Sequence, residues 1–156
     1  MIEKLNKNHN RNNFDCGNEF LNEFLKKYAI QNQTRYLVGV TYVMQKNNTI
    51  LGYITLSAAS IKKVSIKTKK PYDEVPVLRI GRLAVDKKFQ SKGIGKELLK
   101  FGIKKALELK ENFGCVGIVV DAKPEVISFY EKYGFIKMNT IDKHLTTPMY
   151  LSIKKL

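Results

Sequence analysis

Leu78 to Leu99 reads Leu-Arg-Ile-Gly-Arg-Leu-Ala-Val-Asp-Lys-Lys-Phe-Gln-Ser-Lys-Gly-Ile-Gly-Lys-Glu-Leu-Leu. An apolar strand runs to Val85, a basic turn follows, and two glycines, Gly93 and Gly95, open an amphipathic helix. A strand that feeds a Gly-rich turn and a helix N-terminus forms an anion site, because the turn amides and the helix dipole face the same point. Two familiar phosphate loops are excluded. A Walker A loop needs Gly-x-x-x-x-Gly-Lys-Ser/Thr, but Glu97 follows Gly95-Lys96 and Gln90 stands at the first glycine position. The dinucleotide fingerprint needs a third small residue, and Leu98 fills that place. What remains is Gln90-Ser91-Lys92-Gly93-Ile94-Gly95, an anion loop of another kind or a plain surface turn.

The strand before the loop carries two arginines, Arg79 and Arg82. Either each reaches an edge or a carboxylate, or they line a site for an anionic ligand; the sequence leaves both open. Downstream, Ile94 to Glu111 has helical spacing, with Ile94, Leu98, Phe101, Ile103, Ala106 and Leu109 toward one side. Gly114 ends it, and Val116 to Val120 is the short apolar run of a buried parallel strand. Pro124 suits the first turn of another helix carrying Phe129, Tyr130 and Tyr133. Phe135 to Met138 and Pro148 to Lys154 read as closing strands.

Upstream, residues 2–6 suit a short strand, and Asn18 is a candidate N-cap for a helix with Phe20, Leu21, Phe24, Leu25 and Tyr28 on its apolar face, fraying across Gln31 to Arg35. Tyr36 to Gln45 and Ile50 to Ser60 form a predicted hairpin. Lys62 to Pro76 reads as an exposed connection holding five lysines. The order is strand, helix, three strands, helix, strand, helix, two strands. The two strands flanking the long helix should be parallel, joined by a right-handed crossover. The expectation is an α/β fold: one domain over residues 1–156, with a mixed central sheet of about six to seven strands and helices on both faces.

Composition narrows the chemistry. Lys and Arg number 28 against 14 Asp and Glu, a net charge of +14, which favours an acidic partner. Cys16, Cys115, His9 and His144 have no metal-ligand spacing, so no metal is expected, and each histidine reads as a surface or turn residue. No apolar run is long enough to span a membrane and no leader is visible, so a cytoplasmic protein without a membrane partner is expected.

Gln90-x-x-Gly93-x-Gly95 after the fourth strand, with Ser128-Phe129-Tyr130-Glu131-Lys132-Tyr133-Gly134-Phe135 after the fifth, resembles the GNAT acetyltransferases across essentially the whole chain. Phe14-Asp15-Cys16-Gly17, Gly52-Tyr53, Gly81-Arg82-Leu83-Ala84-Val85-Asp86 and Val120-Asp121-Ala122 are similar to the family's toxin branch, which acetylates the amino group of aminoacyl-tRNA. The resemblance implies acetyl-CoA as co-substrate. Gln90, Ser91, Lys92, Gly93, Ile94, Gly95 and Lys96 would meet its pyrophosphate, Leu83, Ala84 and Val85 its pantetheine arm, with Asp121 beside them. Tyr130 would be the general acid. Arg79, Arg82, Lys62, Lys63 and Lys67 are candidates for tRNA contact. A ribbon–helix–helix antitoxin and a homodimer are the implied protein partners. The alternative is a GNAT enzyme acting on a small amine or a protein amino group.

Overall fold

The computed structural model describes residues 1–66, 68–138, 145–154 and 156. Lys67 and His144 lie outside the described residues. The described strands are β1 (Ile2–Lys4), β2 (Val40–Lys46), β3 (Thr49–Lys62), β4 (Glu74–Val85), β5 (Gly117–Ala122), β6 (Ile136–Lys137) and β7 (Thr147–Ser152). They form a mixed seven-stranded sheet in the order β1-β2-β3-β4-β5-β7-β6. The helices are α1 (Glu19–Glu23), a π-helical turn (Phe24–Tyr28), α2 (Ala29–Thr34), α3 (Ile94–Asn112) and α4 (Ile127–Lys132). The chain packs as two compact units, one of Met1–Ser57 with Gly81–Gly102, the other of Ala58–Ile80 with Ile103–Leu156.

The first unit is built on the β2–β3 hairpin. Val40 to Lys46 pairs antiparallel with Thr49 to Leu56, with a bulge between Met44 and Gln45, and β1 adds to β2's other edge. Asn47 and Asn48 turn the hairpin with φ of 53° and 64°, left-handed values that asparagine tolerates better than most residues. The core gathers Leu5, Phe14, Phe24, Leu25, Val43 and Ile50 around Tyr53. Phe14 meets the Tyr53 ring edge-on at 5.6 Å and Phe24 stacks at 6.2 Å. The Tyr53 hydroxyl is satisfied by donating to the Leu21 carbonyl at 2.8 Å.

Asn18 caps α1 as expected, its side chain accepting from the Leu21 amide. The helical face departs from the simple 3.6-residue reading. The π turn places the Ala29 amide on the Phe24 carbonyl, five residues back, so Ala29 takes the inward position and Tyr28 is left 43% exposed. Phe20 is 84% exposed, while its neighbour Asn22 is buried because its amide satisfies the preceding loop. Arg11 Nη1 donates to the Lys26 carbonyl at 3.2 Å, a partner for a π-turn carbonyl. The helix does not fray at Gln31 but runs to Thr34. His9 is buried rather than superficial: its Nδ1 accepts the Asn6 amide at 3.0 Å, which leaves Nε2 to meet Glu3 at 2.7 Å.

The second unit centres on β5. It pairs parallel with β4 from Val77↔Gly117 to Ile80↔Val120, and antiparallel with β7 from Gly117↔Ser152 to Ala122↔Thr147. Parallel pairing across a helical connection was the sequence expectation. Ile66, Val75, Val77, Val119 and Tyr150 form the core cluster there. The connection after β3 is shorter than the sequence implies, because β3 runs to Lys62 and β4 begins at Glu74.

Gly117 is a packing requirement. A Cβ added to it would run into the Leu151 carbonyl and the Tyr150 ring. Gly117→Ala is therefore expected to cost about 3 kcal/mol, read as a lower midpoint in urea unfolding; an unchanged midpoint would show that β7 yields freely.

Candidate functional site

In the first unit the strand β4 ends at Val85 and Asp86 starts a one-turn 3-10 helix, Lys87–Phe89. Asp86 is 4% exposed, and three hydrogen bonds account for its burial. Its Oδ1 accepts the Lys88 amide at 2.9 Å, its Oδ2 accepts the Asp15 amide at 3.1 Å, and its own amide donates to the Leu51 carbonyl at 2.9 Å. The carboxylate thus caps the turn and ties it to the Asp15 loop. Asp15 is itself an anchor. Its side chain accepts the Gly17 amide at 2.9 Å and the Asn22 amide at 3.0 Å, and Lys87 Nζ sits 3.1 Å away. These bonds, the Gly17 amide first, lower its pKa from 3.8 to about 2.

The loop that follows has the backbone of an anion cradle. Ser91 and Gly93 are both left-handed, at φ of 63° and 84°. Alternation of that kind turns successive N–H groups toward one point. Glu97 N is the first helical amide to reach back, to the Gly93 carbonyl at 3.1 Å. The amides of Ile94, Gly95 and Lys96 precede it, where an α-helix offers no carbonyl. Nothing lies within 4 Å of where a Gly93 Cβ would be. Ser91 and Lys92 are exposed, Ile94 is buried, and Lys92 Nζ lies 5.8 Å from the Phe89 ring. Gln90 does a different job. Its Nε2 donates to the Val85 carbonyl at 3.0 Å and the Cys16 carbonyl at 3.3 Å, so the amide braces the loop.

On β4, Ala84 is buried, Leu83 and Val85 half-buried. Gly52 lets the neighbouring strand pass close, since a Cβ there would stand 2.9 Å from the Ala84 carbonyl and 3.0 Å from Leu98. Arg82 lies 3.7 Å over the centre of the Phe24 ring, a cation–π contact of the close kind.

In the second unit Tyr130 sits on α4, 4% exposed, between Phe129 at 5.2 Å and Phe135 at 5.3 Å. Burial raises its pKa well above the ordinary phenol value. The phenol is therefore protonated throughout the physiological range and available as a proton donor. Arg79 Nη1 meets Asp121 Oδ2 at 3.3 Å, so a carboxylate partner, one of the alternatives open for that arginine, is present. Lys62 is exposed and Lys63 half-buried, its Nζ donating to the Lys70 carbonyl at 3.1 Å. Among the described residues no cluster of His, Cys, Asp and Glu could hold a metal ion, and no helix is long and apolar enough to cross a membrane.

Sequence reasoning passed over the brace of Asp15, Asn22 and Asp86. The Asp15-x-Gly17 turn was readable locally, as an aspartate accepting an amide two residues on. The contact between Asp15 and Asp86 spans 71 residues and leaves no local signature.

Residues 38–137 match the family model described as an acetyltransferase (GNAT) domain. The chain is 28% identical over 137 residues to a tRNA-acetylating toxin of Mycobacterium tuberculosis (strain ATCC 25618 / H37Rv), covering 85% of this chain and 81% of that protein. Among solved structures, AtaT complexed with acetyl-methionyl-tRNAfMet aligns with a TM-score of 0.91 and 25% identity, over 99% of this chain and 95% of that one. AtaTR bound with AcCoA aligns at 0.85 and 26% identity, over 99% and 94%. A tyrosine-to-phenylalanine mutant of KacT aligns at 0.87 and 26%, over 99% and 95%.

The Asp15 brace has a pH signature. A carboxylate held below its unfolded pKa of 3.8 adds stability above that pH, and loses it as pH falls toward 2. Asp15→Asn should lower the thermal midpoint at pH 6, and its gap from the unaltered protein should close between pH 4 and pH 2. A gap that stays constant across that window would show that the charge of Asp15 contributes nothing.

Proposed function

The chain belongs to the GNAT acetyltransferase family, and we propose that it transfers the acetyl group of acetyl-CoA to the amino group of aminoacyl-tRNA, stopping translation as the toxin of a toxin–antitoxin pair. The observation that carries this reading is the likeness to AtaT in complex with acetyl-methionyl-tRNAfMet, at a TM-score of 0.91 over 99% of the chain. The net charge of +14 supports it independently, because tRNA is a polyanion. A tRNA-acetylating enzyme works where charged tRNA is, in the cytoplasm. A short ribbon–helix–helix antitoxin is the partner this reading brings with it.

The chemistry follows from the residues. The amides from Ser91 to Lys96 hold the pyrophosphate of acetyl-CoA, and Gly93 allows it to approach without a Cβ in the way. Lys92 and Lys96 add charge to that contact. Main-chain groups of Leu83, Ala84 and Val85 hold the pantetheine arm as a strand would, and an amide there polarises the thioester carbonyl. Asp121, paired with Arg79, serves cofactor binding only indirectly in this reading, by fixing the end of β5. Arg82, Lys62 and Lys63 meet tRNA phosphates.

The acceptor is an α-amino group, with a pKa of about 7.7–8.0. An appreciable fraction is free base at neutral pH, so no dedicated strong base is needed. The nitrogen attacks the thioester carbon, the N–C bond forms and the C–S bond breaks. The departing sulfur takes the Tyr130 proton, and the proton lost from the nitrogen restores the phenol.

Two experiments test this. Purified protein given radiolabelled acetyl-CoA and aminoacylated tRNA is expected to label the aminoacyl group, while Tyr130→Phe, folded and able to bind acetyl-CoA, should turn over about 10²-fold more slowly or worse. Label found only on polyamines or peptides would transfer the assignment to the alternative acceptor class, and a fully active Tyr130→Phe would remove the phenol from the mechanism. Gly93→Asp places a side chain and a negative charge on a left-handed backbone at the pyrophosphate, so calorimetry should detect no CoA binding. Unchanged affinity would mean that the loop holds no phosphate.

A further inference from the structure

At one end of the second unit lies a cleft of about 660 Å³ whose rim is basic. Lys69 and Lys70 come from the segment before β4, Lys110 from the last turn of α3, and Lys154 from the residues after β7, with Thr68 and Ser152 between them. The four ammonium groups come from three segments far apart in sequence, so the fold gathers them. Among the described residues, none of the cleft's lining carries a carboxylate and no ion pair engages any of the four.

Lys110 is already fixed, donating to the carbonyls of Ile153 at 3.2 Å and Lys154 at 3.4 Å. That bond holds the Lys154 backbone to α3 and so shapes the rim. Lys69, Lys70 and Lys154 are exposed. The Tyr150 hydroxyl, in the lining, donates to the Val116 carbonyl at 3.0 Å. Concentrating like charge in a concave surface focuses the potential and draws in anions.

From this convergence we propose that the cleft is a second nucleic-acid contact, which takes the phosphodiester backbone of the RNA at a distance from the reacting amino group. It rests on the aminoacyl-tRNA reading above and extends it. Two features suit a phosphate backbone. The cations are all lysines, point charges that meet phosphate oxygens in any orientation. They come from three directions, which suits phosphates spaced along a strand. The cleft also lies where β5 begins, at Cys115 and Val116. Asp121 and Ala122 end that strand, and six residues of strand put about 20 Å between the two ends.

The test uses fluorescently labelled deacylated tRNA titrated at several salt concentrations. Each phosphate contact contributes about 0.7–0.9 to the slope of log affinity against log salt. The triple variant Lys69→Ala/Lys70→Ala/Lys154→Ala should therefore flatten that slope by about 2 and bind at least tenfold more weakly at low salt. Lys69→Arg/Lys70→Arg/Lys154→Arg should retain it. A control with the same loss of charge elsewhere, Lys7→Ala/Lys46→Ala/Lys104→Ala, should flatten it by no more than half as much. Equal effects of the two alanine triples would overturn the proposal, since only total charge would then matter. So would a cleft triple that binds tRNA normally but loses affinity for a poly-glutamate peptide, which would give the cleft to an acidic protein. Because the tRNA carries no amino acid, a preparation that acetylates no aminoacyl-tRNA and yet shows the slope change would refute the acceptor assignment while the cleft stands.

Discussion

The buried carboxylate of Asp86 is the interaction on which the loop from Gln90 to Gly95 depends. A carboxylate 4% exposed must have its oxygens satisfied, and here the partners are backbone amides of Asp15 and Lys88. The bonds do two things together. They stop β4 and start the turn that leads to Gly93, and they hold the Asp15 loop against that turn. Gln90 repeats the brace one turn on, joining the Val85 and Cys16 carbonyls. The loop's left-handed residues at 91 and 93 are thus held by a scaffold.

The hydrophobic core supports the same unit from beneath. Tyr53 fills the space between Phe14 and Phe24 and still pairs its hydroxyl with the Leu21 carbonyl, so a large aromatic is buried without an orphaned polar atom. Phe24 is also the ring under the Arg82 guanidinium. In the second unit the same rule governs Tyr150, whose hydroxyl finds the Val116 carbonyl, and burial among aromatic rings keeps Tyr130 a neutral phenol.

Charge is distributed unevenly in its chemical use. Some of the cations are spent on local structure: Arg79 on Asp121, Lys87 on Asp15, Arg11 on the π-turn carbonyls, Lys110 on the end of the chain. Exposed pairs of this sort contribute little stability in water, and their effect is to set geometry. The cations exceed the carboxylates overall, leaving a net charge of +14.

Much of this was legible in the residues themselves. Periodicity located α3 to within a residue, Ile94–Asn112, because a 19-residue amphipathic run with glycines at each end admits one reading. The apolar run at Val116 gave a parallel strand, Asn18 a cap, and two spaced glycines a turn that opens a helix, all of them short-range rules. The π turn, by contrast, shifted Tyr28 outward against the 3.6-residue pattern, and Phe20 was exposed while Asn22 was buried. His9 was buried by a turn and a glutamate that sequence distance does not rank. The sequence by itself determined the elements and the chemistry they can carry, since propensity and spacing act over a few residues. Only the tertiary structure decided which polar groups are spent on each other, Asp86 on Asp15, Arg79 on Asp121, Gln90 on Cys16, and which lysines converge on one cleft, because those partners lie up to 74 residues apart and meet through packing alone.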